Sequence, residues 1–302
     1  MFDMQDVKRL LDQDLLNNNF FNYKEAIHPG VLYDKGITGK DLTCAVIDTG
    51  CDYNHPLLKD KIIGGRNFTF EGDSSDFMDL NGHGTHVAGL IAADSLNNFP
   101  GGIAPDSKLL ICKVLTKNGS GGIAGIIQAI DYAINNNVDV INLSLGGLND
   151  IMDLRQAIMR AYAADIIICC ASGNNAKGDN GLIDEFCYPG AYQEVIEVGA
   201  INKALQPCFF SNSNNMIDCV CYGEQILSTY IDNSFALLDG TSQATPLVAG
   251  SVLLLEQWFR QEFNRIPSKE EIYAMLIKCS TTIEGFNRKQ TGFGYIQLNK
   301  LN

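Results

Sequence analysis

Basic residues are scarce in this sequence: 22 Lys+Arg stand against 35 Asp+Glu over 302 residues, for a formal net charge of −13. With no basic block to neutralise phosphates, neither a nucleic-acid partner nor an anionic membrane surface is expected. Long apolar runs are also missing. The longest, about ten residues from Pro246 to Leu255, is too short to cross a bilayer. The opening Met1-Phe2-Asp3-Met4-Gln5-Asp6-Val7-Lys8-Arg9 carries acids early and no apolar stretch of signal length, so nothing marks the chain for secretion. No Cys-x-x-Cys pair exists among the ten cysteines, which argues against a zinc knuckle. Cys44, Cys112, Cys169 and Cys170 instead sit inside apolar runs, where a free thiol behaves as a small core hydrophobe. Reduced thiols and a cytoplasmic location are the expectation.

What is present is ordinary globular material, 46% hydrophobic and 19% charged. A chain of this length buries a large core without a disulfide or metal staple. Residues 1–22 read as a short amphipathic helix ending at Asn17-Asn18-Asn19, an N-terminal extension and candidate short pro-segment ahead of a domain over 23–302. From residue 42 onward, short β-branched runs at 42–47, 108–114, 138–143, 166–171 and 194–200 alternate with helical patterns at 83–95, 122–137 and 150–164. That alternation predicts βαβ units and a mostly parallel sheet with helices on both faces. A long apolar helix is predicted at about 241–262. Another starts at Ser268, where Ser268-Lys269-Glu270-Glu271 spells a capping box.

Active sites of such sheets gather at the carboxyl ends of the strands. There the sequence places Asp48-Thr49-Gly50 after the first strand and Ser172-Gly173-Asn174 after the fourth. His83-Gly84-Thr85-His86 opens one helix and Gly240-Thr241-Ser242 opens the long one. Each of these residues alone is most simply a cap or turn former. An acid, an imidazole, an amide and a hydroxyl converging on one sheet edge is a different matter.

Asp48-Thr49-Gly50, His83-Gly84-Thr85-His86-Val87-Ala88-Gly89 and Gly240-Thr241-Ser242-x-Ala244-x-Pro246 resemble the three catalytic segments of the subtilisin-like serine proteases, in that family's order of Asp, His and Ser. The resemblance runs from about residue 30 to residue 297. Within the family the likeness is to the intracellular subtilisins, carried by Ile47-Asp48-Thr49-Gly50-Cys51-Asp52, His55-Pro56, Ile62-Ile63-Gly64-Gly65 and Asn67-Phe68-Thr69. It implies a three-layer α/β sandwich with a mostly parallel central sheet, and a serine endopeptidase acting on peptides or unfolded proteins in turnover or peptide maturation. Ser242 is then the nucleophile, His83 the general base, Asp48 its orienting carboxylate and Asn174 an oxyanion donor. Ser144-Leu145-Gly146 and Gly119-Ser120-Gly121 resemble the two rails that hold an extended substrate. Ala171-Ser172-Gly173 and Cys187-Tyr188 resemble the walls of the S1 pocket. His86 reads as structural.

The likeness has gaps. Gln243 replaces the usual Met after the nucleophile, Leu247 a usual His, and Ile123 an aromatic. Leu57 replaces a calcium-ligating Asp, which weakens an oxygen-ligand site. Asn97 and Asn98 remain in the neighbouring loop, and a weaker structural calcium site is expected at Gly190, Tyr192 and Val195. The residues before Asp48 leave no room for a large folded prodomain, and no Leu-Ile-Pro-Tyr-like blocking motif stands among them. A homodimer is a further partner expectation. A non-catalytic peptide binder and a zinc hydrolase using His83 and His86 are the competing classes; the complete set of four catalytic residues disfavours the first.

Overall fold

The structure, a computed structural model, describes residues 9–11, 20–177 and 181–301. Strands are β1 (Arg9–Leu11), β2 (Thr43–Asp48), β3 (Ile62–Asn67), β4 (Lys108–Lys113), β5 (Val140–Leu143), β6 (Ile167–Ala171), β7 (Ile196–Ile201), β8 (Cys219–Tyr222), β9 (Ile226–Tyr230), β10 (Ser234–Leu238), β11 (Ser280–Thr281) and β12 (Tyr295–Ile296). Helices are α1 (Tyr23–Ile27), α2 (Gly30–Tyr33), α3 (His83–Ala92), α4 (Ile123–Asn135), α5 (Met152–Ala163), α6 (Thr241–Phe263), α7 (Lys269–Lys278) and α8 (Arg288–Thr291).

Nine strands form the central sheet in the order β11-β12-β8-β7-β6-β5-β2-β4-β3. All its pairings are parallel except β11–β12. Successive side chains alternate between its faces. Cys44 and Val46 join one core with α3 and α6, while Ala45 and Ile47 join the other with α4 and α5. Both faces being covered, the strands read as continuous apolar runs. Helix α4 buries Ile126, Ala129, Ile130 and Ala133, and α5 buries Leu154, Ala157, Ile158 and Ala161. Each set follows the i, i+3, i+4, i+7 spacing of a single apolar stripe. The long α6 is buried almost throughout, which puts its N-terminus inside the protein rather than at its surface.

The expected strands and helices are present, shifted by one or two residues. Helix α3 stops at Ala92, short of the expected 95, because Ala93 turns to extended backbone. The capping box is formed: Glu271 N–H donates to Ser268 Oγ, and Ser268 N–H donates to Glu271 Oε2 at 2.8 Å. Strands β3, β8, β9, β10, β11 and β12 are not among those expected from the sequence. Edge strand β3 is interrupted by Gly64-Gly65, and β8 spans only four residues.

The helix expected over residues 1–22 needs correction. Arg9–Leu11 is a strand, paired antiparallel with Phe235–Leu237 of β10. The free edge of the β9–β10 hairpin supplies the hydrogen-bond partners that an extended segment needs, and this outweighs local helical periodicity. The remainder of that reading, residues 1–8 and 12–19, lies outside the described residues.

The hairpin is tied to α3 by His86, fully buried, whose Nε2 sits 3.0 Å from the Ile226 carbonyl and 3.2 Å from that of Ala236. Two carbonyl acceptors place the proton on Nε2. Burial, then the neighbouring His83, pushes the His86 pKa down to about 3, so the ring is neutral at working pH. Opposite the hairpin, Glu197 on β7 is a fully buried carboxyl. Asn214 Nδ2 donates to its Oε1 at 3.0 Å, while Oε2 has no protein partner. Burial first, then the charge of Asp218, pushes the Glu197 pKa up to about 8, despite the Asn214 hydrogen bond. Cys170 and Cys187 also face it.

A folded-state pKa raised above the unfolded value means the native state holds the proton longer, so stability falls as pH climbs from about 4.5 to about 8. Glu197→Gln should therefore gain melting temperature relative to wild type at pH 8–9 and show little difference near pH 4, as read by calorimetry across that range. A constant offset at every pH would show that Glu197 does not titrate in this window.

Candidate active site

Three chain segments meet at the carboxyl end of β2. Asp48, the last residue of that strand, is fully buried, and His83, the first residue of α3, is 2% exposed. His83 Nδ1 and Asp48 Oδ1 are 2.8 Å apart across 35 residues of sequence. The Thr49 N–H donates to the same Asp48 oxygen at 2.7 Å. The carboxylate therefore fixes Nδ1 as the protonated nitrogen and leaves Nε2 as the basic one.

Such close approach needs missing side chains. A Cβ on Gly84 would lie 2.1 Å from the Gly50 carbonyl oxygen, and one on Gly82 would meet the Tyr230 ring at 2.0 Å. Gly50, at φ +109°, would bring a Cβ to 2.4 Å from the Phe77 carbonyl oxygen.

Two residues that the sequence reading passed over hold this junction together. Asp79 accepts from Thr49 Oγ1, Asn81 N–H and Gly82 N–H through Oδ1, and from Thr85 N–H and Oγ1 through Oδ2, all between 2.7 and 2.9 Å. It binds the strand end, the turn and the first turn of α3 into one unit. An acid just ahead of a helix start is a capping signal, and it stood in the sequence at Asp79-Leu80-Asn81-Gly82. Lys113, 2% exposed at the end of β4, donates its Nζ to the carbonyls of Thr49 at 2.9 Å and Met78 at 3.2 Å. Nothing in its apolar strand context signals that role.

Ser242 is the second residue of α6 and 6% exposed. Its hydroxyl donates to the Ser144 carbonyl at 3.1 Å, and the Ser144 hydroxyl donates to the Ser242 carbonyl at 2.9 Å. The N–H groups of a first helical turn lack upstream acceptors, and the helix dipole adds partial positive charge there. Across the cleft, Asn174 Oδ1 accepts from both the N–H and Oγ1 of Thr241 at 2.9 Å. This fixes the amide so that its NH₂ is the end left for a ligand.

A cavity of about 120 Å³ unites the two. Of the residues expected from sequence, Gly119, Ser144, Leu145, Gly146, Ala171, Gly173 and Cys187 line it together with Asn174 and Ser242. Four others do not line it. Ser120 closes its own turn, its carbonyl accepting from Thr116 N–H at 2.8 Å. Gly121 presses against the Val114 carbonyl, where a Cβ would come to 2.2 Å. Ser172 is fully buried and donates its N–H to Val198. Tyr188 pairs with Gly147 through both backbone groups.

The calcium expectations divide. Leu57 packs against the apolar core and offers no carboxylate to the loop over 95–102, whose Asn97, Asn98 and carbonyls are the oxygen ligands left there. Gly190, Tyr192 and Val195 lie on a turn closed by Tyr192 N–H to the Pro189 carbonyl at 3.0 Å. Next to it, a cavity of about 290 Å³ is lined by Val195, Glu194 and Asp218. Among the described residues no three His, Cys, Asp or Glu side chains gather as metal ligands.

The junction predicts a specific defect. Asp79→Ala leaves the N–H groups of the α3 turn and two hydroxyls without an acceptor, at about 1–3 kcal/mol for each buried group left unpaired. It should lower the melting temperature and slow organophosphonate labelling of Ser242 at least tenfold. Labelling at the wild-type rate in a folded variant would show that the turn holds without the carboxylate.

Comparison with known proteins agrees with this geometry. The profile of the subtilase family matches residues 39–295. The chain is 50% identical over 262 residues to the intracellular serine protease of Paenibacillus polymyxa, covering 86% of this chain and 80% of that one. It is 43% identical over 270 residues to the major intracellular serine protease of Bacillus subtilis, covering 88% and 84%. It is 41% identical over 226 residues to the subtilisin of Bacillus pumilus, covering 74% and 80%. The buried Asp–His pair at a strand end, the serine at a helix N-terminus and this span of likeness place the chain in the subtilase family, as a subtilisin-like serine endopeptidase.

Proposed function

We propose that Ser242 is the nucleophile, His83 the general base, Asp48 the orienting carboxylate and Asn174 the side-chain oxyanion donor of this endopeptidase. The observation that carries the assignment is the buried 2.8 Å Asp48–His83 hydrogen bond, formed beside a cleft that Ser242 and Asn174 line. At rest the Ser242 hydroxyl points to the Ser144 carbonyl. For attack it turns toward His83, which takes its proton as Oγ bonds to the scissile carbonyl carbon. The imidazolium is stabilised by Asp48 and returns the proton to the leaving amine; water then repeats the sequence on the acyl-enzyme. The Asn174 amide and the Ser242 N–H at the start of α6 receive the oxyanion. Backbone groups of Ser144–Gly146 and of Gly119–Gly121 offer edges along which an extended peptide can pair as a strand. Ala171, Gly173 and Cys187 shape the S1 slot.

The proposed setting is the cytoplasm, in protein turnover or peptide maturation. Ten free, buried thiols support a reducing compartment. Residues 1–22 are proposed as a short pro-segment, tested by mass spectrometry of the N-terminus after incubation. The turn at Gly190, Tyr192 and Val195 is proposed as a weak calcium site using carbonyl oxygens. Calcium should then raise the melting temperature and a chelator reverse it.

The assignment is tested by kinetics. Ser242→Ala should abolish cleavage of an unfolded protein and block organophosphonate labelling. Asn174→Ala should lower kcat about 10²–10³-fold, the range known for one oxyanion donor in a subtilisin, with KM nearly unchanged. Wild-type cleavage by Ser242→Ala would sink the assignment.

A further inference from the structure

Pro246 lies inside α6, four residues after Ser242. In a helix the carbonyl of one residue accepts from the N–H four residues on, and proline has none to give. The Ser242 carbonyl is thus deprived of that donor where the helix is buried. An unpaired carbonyl is costly in such a place. Ser144, just past the end of β5, supplies a donor instead: its hydroxyl gives its proton to the Ser242 carbonyl at 2.9 Å.

A hydroxyl has one proton. Committed to the Ser242 carbonyl, Ser144 Oγ can only accept, and it accepts from Asn142 Nδ2 at 3.0 Å. Asn142 stands on β5 opposite Val46 of β2, hence on the sheet face that α6 covers, and Ser144 two residues on continues that face. Both side chains are buried, at 0% and 1% exposure. Asn142 Oδ1 has no hydrogen-bond partner among the described residues. In a strand interior, an amide paired at one end only costs more than an aliphatic side chain would. What Asn142 contributes is therefore its donor, which aims the Ser144 hydroxyl at α6.

We propose that Asn142 is a positioning residue for catalysis: through the Ser144 hydroxyl it fixes the backbone of Ser242, and with it the place from which Oγ attacks. The proposal rests on the assignment of Ser242 as nucleophile. Ser144 grips that residue twice, with its hydroxyl on the carbonyl and with its own carbonyl on the Ser242 hydroxyl at 3.1 Å. The second contact has to break for attack. The first does not, so it holds the Ser242 backbone still while the side chain turns toward His83. Misplacing a reacting group by about an ångström costs on the order of 10²-fold in rate.

The test is steady-state kinetics on a fluorogenic peptide, with active sites counted by organophosphonate titration so that kcat refers to folded enzyme. Ser144→Ala, which strips the Ser242 carbonyl of its donor, should lower kcat about 10–10²-fold and change KM by less than about twofold. Asn142→Leu keeps the bulk but frees the hydroxyl to swing, and should lower kcat about three- to tenfold, the worth of one neutral hydrogen bond. Asn142→Ala, which cannot overpack, should behave alike. Combined with Ser144→Ala, either substitution should slow the enzyme no further, because Asn142 then has no hydroxyl to aim. Wild-type kcat in Ser144→Ala overturns the proposal whichever Asn142 variant folds. So does a double variant whose loss is the product of the two single losses, or an effect of Asn142→Leu confined to melting temperature. Wild-type cleavage by Ser242→Ala would sink the nucleophile assignment and this inference together, whereas an inactive Ser242→Ala beside a Ser144→Ala of wild-type kcat overturns this inference alone.

Discussion

A 2.8 Å hydrogen bond between two buried side chains, Asp48 and His83, dictates the construction around it. For it to form, the first turn of α3 must press against the carboxyl end of β2, two backbones approaching more closely than side chains permit. Glycine at 50, 82 and 84 permits the approach, and Asp79 makes it favourable by collecting the N–H groups of the turn. Lys113 then occupies the carbonyls of Thr49 and Met78 that the sharp turn leaves unpaired inside the protein. Without these partners the turn would bury orphan polar groups. The catalytic pair is thus the visible tip of a satisfied polar network.

The nucleophile obeys a second constraint. Ser242 must face water and substrate, yet the helix that carries it is buried over most of its length. Burial of α6 fixes its N-terminus at the sheet edge, where its unpaired N–H groups and dipole favour a developing negative charge. Thr241, one residue earlier, locks the Asn174 amide by donating both its N–H and its hydroxyl to Oδ1. The two proposed oxyanion donors are therefore set by one helix start. Donors fixed in this way need little reorganisation during the reaction.

Much of this was legible in the sequence because it was written in the residues that physics leaves least choice. Continuous apolar runs fixed the doubly covered sheet, and 3.6-residue stripes fixed α4 and α5. Asp48, His83, Asn174 and Ser242 were found through their segments, each placed after a strand or at a helix start. Other parts depended on distant partners. Lys113 looks like an ordinary strand terminus until Thr49 and Met78 fold over it. Arg9–Leu11 carries no strand pattern of its own and pairs only because β10 has a free edge. Glu197 reads as a polar interruption in an apolar strand, and its buried neighbours become visible only when Asn214 and Asp218 are brought against it.

The cysteines pose a sharper question, since a thiol is intrinsically the better nucleophile and two of them stand beside the serine's machinery. Cys51 follows the Asp48-Thr49-Gly50 turn and Cys187 lines the cleft itself. Neither competes, because nucleophilicity belongs to the thiolate and both environments suppress it. Burial pushes the Cys187 thiol up to about 12, with the Glu197 carboxyl adding to the shift. Cys51 is driven well above its ordinary value by burial, then by Asp79 and Asp52. Asp79, which organises the turn, thus adds to burial in holding its neighbouring thiol protonated. Ser242 stands instead at the start of α6, lining the cleft together with Asn174. Burial and nearby carboxylates thus silence the intrinsically better nucleophiles, which leaves the proposed role to the serine at the helix start.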